Sequence, residues 1–141
     1  NLQSAFGAKR RRADFAAKAD AVNGYRGRCA FATWTGSFLE DYVEDGFVPG
    51  PNGVTLTCRP AWESTSFASL NHYAAGLLSH VRQPVTLIRA AEGSSVRISD
   101  AEFKRLKPDI NVELVPGSTH FVPMEQPDLI RERLTRLLEK S

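Results

Sequence analysis

The stretch Val112-Glu113-Leu114-Val115-Pro116-Gly117-Ser118-Thr119-His120-Phe121-Val122-Pro123-Met124-Glu125-Gln126-Pro127 decides the fold. It reads as a short buried strand, a tight turn carrying a histidine, and the start of a helix. Loops at the carboxyl edge of a parallel sheet are where α/β proteins place their chemistry. His120 stands in such a loop as a candidate general base. The alternative is a loop histidine packed beside Phe121 and hydrogen-bonded to backbone.

Upstream, Val85-Thr86-Leu87-Ile88 is a β-branched run that reads as a second buried strand. A loop over 90–98 follows. Ser99-Asp100-Ala101-Glu102 then has capping-box form and opens a helix with Phe103 and Leu106 inward, closed by Pro108-Asp109. Strand, helix and strand of this length make a right-handed parallel crossover. Pro127 opens a last helix with Ile130, Leu134, Leu137 and Leu138 on one face and Lys140 in its final turn. The class is therefore α/β, with a βαβα unit over 84–141.

In a parallel pair the loops after both strands open on the same edge. The first holds Glu92 and the second His120, and neighbouring strands lie only about 4.8 Å apart. A carboxylate on the imidazole Nδ1–H would fix the tautomer and stabilise the imidazolium, which gives Glu92 a role as catalytic acid. Its other reading is an exposed loop glutamate. The nucleophile is missing. A strand-to-helix elbow needs Gly-x-Ser-x-Gly, and Gly36-Ser37, Gly93-Ser94 and Gly117-Ser118 all lack that frame. Ser37 is better explained as a helix cap, and Ser118 sits on the same turn as His120.

Residues 1–70 have a different character. The run Lys9-Arg10-Arg11-Arg12 has no interleaved aromatics to make a stacking platform, so it reads as a solvated helix end or linker and not as a nucleic-acid patch. Phe15, Ala19 and Val22 share one face of an expected helix over 13–25 that Gly27 ends. Ser37-Phe38-Leu39-Glu40 has capping-box form and starts a helix to Asp45, with Gly46 as its left-handed stop. Residues 47–52 read as a turn-rich loop and 54–57 as an isolated extended piece. Pro60 opens a helix. Leu70, Tyr73, Ala74, Leu77, Leu78 and Val81 then follow the spacing of an amphipathic α-helix, with His72 and His80 as surface residues. Two domains follow, 1–70 and 71–141.

The bulk figures bound the function. The 141 residues are 42% hydrophobic and 24% charged, with a net charge of +2, too small to imply a polyanionic partner. No apolar run approaches the roughly 20 residues of a membrane helix, so neither nucleic acid nor membrane is expected as a partner. Cys29 and Cys58 match no metal-site spacing and read as reduced packing residues of a cytoplasmic protein. No cofactor is expected. The only methionine is Met124, and the chain starts abruptly at Asn1, as a fragment or a processed product would.

Pro84-Val85-Thr86-Leu87-Ile88-Arg89, followed by the 115–127 stretch, resembles the last two strands and final helix of the α/β-hydrolase superfamily. In that family the histidine loop reads as Gly, one or two small residues, His, an apolar residue, then Glu-x-Pro. The resemblance covers residues 85–141 and places His120 at the catalytic-histidine position. It implies a partial α/β-hydrolase fold, with residues 1–70 as a mainly helical cap. Trp34, Tyr42, Trp62 and Phe121 would then line an apolar substrate pocket; ordinary core packing is their other reading. The nucleophile, serine or aspartate, and the oxyanion-hole segment would lie N-terminal to the cap, in a half of the fold that this chain would need as a partner. The acid would be Glu92 or a residue of the preceding sheet strand. The activity implied is hydrolysis of an ester-like bond in a small apolar substrate, with this chain alone inactive. The alternative is a non-catalytic remnant or binding module of the same fold. Exposed cap aromatics would equally serve a homo-oligomer interface.

Overall fold

The computed structural model describes residues 2–69, 72–96 and 98–139. The elements run α1 (Leu2–Lys9), β1 (Asp14–Phe15), α2 (Lys18–Tyr25), a 3-10 turn (Cys29–Phe31), α3 (Phe38–Gly46), β2 (Phe47–Gly50), β3 (Gly53–Leu56) and α4 (Pro60–Ser69). A 3-10 helix (His72–His80) then leads to β4 (Thr86–Ala90), α5 (Asp100–Leu106), β5 (Asn111–Val115), α6 (Val122–Glu125) and α7 (Pro127–Leu138). The chain divides into two compact units. Residues up to Ala32 and from Gly36 through α4 make the first, and Thr33–Thr35 join the residues from His72 onward in the second.

The first unit is mainly helical around a small antiparallel sheet of order β1-β3-β2. Here the residues expected as a loop and an isolated extended piece pair as a hairpin, Phe47 opposite Leu56 and Gly50 opposite Gly53. The turn residues Pro49, Gly50 and Pro51 concealed it, because β2 is an edge strand where proline costs no ladder bond. Gly53 is irreplaceable in this turn: its φ is +129°, and a Cβ there would lie 2.4 Å from the carbonyl oxygens of Phe15 and Ala16. The expected 13–25 helix begins only at Lys18, since Asp14 and Phe15 pair with Thr55 and Val54 instead. Phe15 still reaches the core, with Ala21, Leu39, Val43, Phe47 and Leu56.

Two cap assignments fail. Ser37 makes no capping bond; its hydroxyl goes to Asp41 at 3.1 Å, and Glu40 pairs with Arg26. Gly46 closes α3 without a positive φ, because the chain passes straight into the extended β2. Gly27 does take the left-handed conformation, at φ +68°. Both cysteines are free and exposed, which overturns their reading as packing residues.

In the second unit β4 and β5 pair in parallel, Thr86 opposite Asn111 through Ala90 opposite Val115, with α5 as the crossover. Ser99 caps α5 as its sequence predicts, its hydroxyl accepting from the Glu102 N–H at 3.2 Å. One sheet face carries Ile88, Ala90 and Val115, which pack with Val122, Leu129 and Ile130. Arg133 of α7 grips Glu113 of β5 with a two-pronged bond at 2.8 and 2.6 Å, fixing helix to sheet. The stripe expected as an α-helix is a 3-10 helix instead, with Leu77 66% exposed. A three-residue turn brings the four-spaced apolar positions out of line. Leu70, the side chains of His72, Tyr73 and Ala74, and Lys140 lie outside the described residues. Among those described, no helix is long and apolar enough to cross a membrane.

Candidate functional site

The parallel pairing of β4 and β5 delivers the two following loops to one edge of the sheet. Backbone bonds extend the pairing past the strands: the Ala91 N–H donates to Val115 O at 2.9 Å and the Glu92 N–H to Ser118 O at 3.3 Å. The chain after β5 turns at Pro116-Gly117, where Gly117 has φ +66°. The short α6 that follows lets the chain double back on this turn before α7 begins.

A set of side chains then fixes the turn from behind. Ser118 is 1% exposed, and its hydroxyl accepts from Gln126 Nε2 at 2.7 Å. The same amide reaches Pro116 O at 3.3 Å. Glu125 accepts the Thr119 N–H at 2.6 Å and the Thr119 hydroxyl as well. The hydroxyl of Thr33 donates to the same carboxylate. Burial raises the pKa of this carboxyl, but the bonds from Thr119 and Thr33 outweigh it and hold it below its ordinary value. Both the serine and the carboxylate are thus spoken for. Neither is available as a nucleophile or a proton carrier.

The next residue is the one left outside. His120 is exposed, and its Nδ1 lies 3.0 Å from the Ser95 hydroxyl. Nε2 makes no bond among the described residues. The ring stands edge-on to Phe121 at 5.3 Å, and Phe121 in turn meets Trp34 at 5.4 Å. Ser95, Val96, His120, Val122 and Pro123 border a cavity of about 180 Å³. That is smaller than the roughly 300 Å³ at which small-molecule pockets begin, so it is a notch beside the imidazole and not a complete pocket. Chemically, an imidazole held through Nδ1 with Nε2 unoccupied can take a proton from a hydroxyl or water brought to it. A serine hydroxyl orients the ring, but it does not balance the charge of an imidazolium as a carboxylate does.

Glu92 lies on the same rim, on the loop that carries Ser95. Its carboxylate is exposed and makes no hydrogen bond or ion pair among the described residues, so the group at His120 Nδ1 is Ser95. Of the four aromatics expected to line a pocket, Trp34 and Phe121 come together in the second unit. Tyr42 and Trp62 belong to the first. Tyr42 accepts from Arg11 Nη2 at 2.6 Å within a ring cluster with Tyr25 and Phe31, and burial raises its pKa above the usual phenol value despite the arginine. Trp62 is 68% exposed on α4. No group of three or more His, Cys, Asp or Glu is placed to hold a metal ion among the described residues.

Sequence reasoning missed Ser95, Thr33 and the part played by Glu125-Gln126. Of this loop only Gly93-Ser94 has the look of a nucleophile frame, and nothing local marks the Ser95 hydroxyl as the partner of a histidine 25 residues on. The Glu-Gln-Pro start of the last helix was visible, but not that its first two side chains fold back onto the histidine turn.

No family model matches the chain, and no curated protein matches it by sequence. Solved structures do. E-2-(acetamidomethylene)succinate hydrolase is similar over 99% of this chain with a TM-score of 0.74 and 20% identity. The peroxisomal α/β-hydrolase Lpx1 of Saccharomyces cerevisiae is similar over 99% with a TM-score of 0.79 and 16% identity. The thioesterase domain from the curacin biosynthetic pathway is similar over 89% with a TM-score of 0.65 and 15% identity. The chain spans 53%, 39% and 44% of those chains, respectively. The fold is therefore that of the α/β-hydrolases, present in part.

Proposed function

From part of an α/β-hydrolase fold, we propose that this chain is the C-terminal portion of a hydrolase acting on an ester-like bond of a small apolar substrate, with His120 as its base. The observation that carries this is the presentation of His120: a rigidly backed turn at the sheet rim, ring exposed, Nδ1 engaged and Nε2 without a partner among the described residues. The first unit serves as the cap. The serine or aspartate nucleophile comes from the other half of the fold, since no Gly-x-Ser-x-Gly occurs in these residues. His120 withdraws the nucleophile's proton, or activates water in the second step. Because Ser95 occupies Nδ1, the charge-balancing acid is assigned to the preceding sheet strand and not to Glu92. Trp34 and Phe121 form the apolar wall next to the reacting atoms.

One observation favours a second reading, a non-catalytic binding module of the same fold: no carboxylate among the described residues meets the imidazole. The two readings separate on a panel of short-chain p-nitrophenyl esters assayed with the full chain that carries these residues. Hydrolysis above buffer that disappears in His120→Ala supports the enzyme. Absence of hydrolysis, with retained binding of the same esters, supports the binding module.

A further inference from the structure

Three consecutive residues, Thr33-Trp34-Thr35, leave the first unit and join the second, and the chain returns to the first at Gly36. All three are fastened to the histidine turn. The Thr33 hydroxyl donates to Glu125, 92 residues away. Thr35 donates twice to the Met124 carbonyl, from its N–H at 3.0 Å and from its hydroxyl at 2.9 Å. Between them Trp34 sets its ring edge-on against Phe121, with 5.4 Å between centroids. The same Glu125 carboxylate takes the N–H and the hydroxyl of Thr119, the residue immediately before His120.

We infer that Thr33–Thr35 are a strap that sets the position of the His120–Phe121 turn, with Thr33 and Glu125 as positioning residues for the imidazole. The carboxylate is the bridge. One side of it is bound to the strap and the other to the backbone one residue before the base, so a displacement of Thr33 is passed to His120 through a single rigid group. The aromatic pair adds a second link, since Phe121 is held by Trp34 and itself stands edge-on to His120. A segment that only filled space would need no such pairing of each hydroxyl with the turn. Threonine hydroxyls at exposed positions are otherwise satisfied by water, with nothing gained by reaching across the chain.

The inference rests on the hydrolase reading for its kinetic consequence and on the geometry alone for its structural one, and the test keeps them apart. The full chain is labelled with 5-fluorotryptophan, with carbon-13 in the histidine rings and with nitrogen-15 in the threonine amides, as wild type, Thr33→Val and Thr33→Ser. Valine keeps the shape and removes the hydroxyl; serine restores it. The expected result is that Thr33→Val shifts or broadens the Trp34 fluorine signal, the His120 ring signals and the Thr119 amide, while the thermal midpoint moves little and Thr33→Ser returns them. In turnover, Thr33→Val lowers kcat about three- to tenfold with KM unchanged, and Thr33→Ser recovers it. Unaltered His120, Thr119 and Trp34 signals in Thr33→Val overturn the strap, whatever the activity. Altered signals in a chain that hydrolyses nothing leave the strap standing and remove the hydrolase reading.

Discussion

The imidazole of His120 and the hydroxyl of Ser95 meet at 3.0 Å across the two loops that follow β4 and β5. This bond fixes the ring from the side where triads place a carboxylate. Its removal should free the ring. In Ser95→Ala the nitrogen-15 signals of the ring change as the tautomer balance shifts, read in a histidine-labelled sample. Turnover should fall about tenfold, because orientation of the base is lost while the base remains. A Ser95→Ala protein with wild-type ring signals would show that the two residues do not interact in solution.

Glu125 gives a pH signature. Folding lowers this carboxyl's pKa from its ordinary value of 4.5. Its contribution is therefore complete above that value and is lost as the pH falls through the lower folded one. The protection of the Thr119 amide against hydrogen exchange, corrected for the intrinsic rate, should fall over that acid range more than in the rest of the unit. Glu125→Gln removes the charge-assisted bonds, costing about 1–2 kcal/mol near neutrality, and flattens the acid dependence. Thermal melts between pH 6 and pH 3 check both.

Gly53→Ala tests the first unit separately. The added methyl meets two carbonyl oxygens at 2.4 Å in a left-handed backbone, so β1 or the β2–β3 turn must give way. A loss of about 2–4 kcal/mol is expected. The unfolding midpoint in urea measures it, and a shift under 0.5 kcal/mol would show the turn to be plastic.

Much of this architecture is written locally. The β-branched run at β4, the Ser99 cap and Pro127 at the start of α7 each depend on neighbours a few residues away, and the parallel order follows from the crossover length. What escaped depends on distant residues. Phe15 fits a helical face as well as a strand, and only Val54 decides between them. Pro49 and Gly50 carry loop chemistry, yet the Leu56 partner makes Phe47 a strand residue. In the site, His120 could be read because a histidine after a strand-like run is a local signal. Ser95, Thr33 and Glu125 are joined by side-chain bonds between segments far apart in sequence, and hydroxyls carry no periodic mark of their partners.

The second unit should be incomplete by itself. Its sheet has two strands among the described residues, and Leu114, Leu134 and Leu138 are 53%, 56% and 79% exposed. Apolar surface of this kind draws chains together. The isolated 141 residues are expected to self-associate at micromolar concentration in light scattering and to become monomeric when produced together with the rest of the fold. A sharp melt of a monodisperse monomer of these residues alone would contradict that expectation.

The most direct test of His120 as the base is chemical rescue. In the full chain, His120→Ala should lower kcat about 10²–10⁴-fold while substrate binding stays nearly intact, and added imidazole should restore part of the lost rate in a concentration-dependent way. A His120→Ala protein that turns over substrate at the wild-type rate would contradict the account.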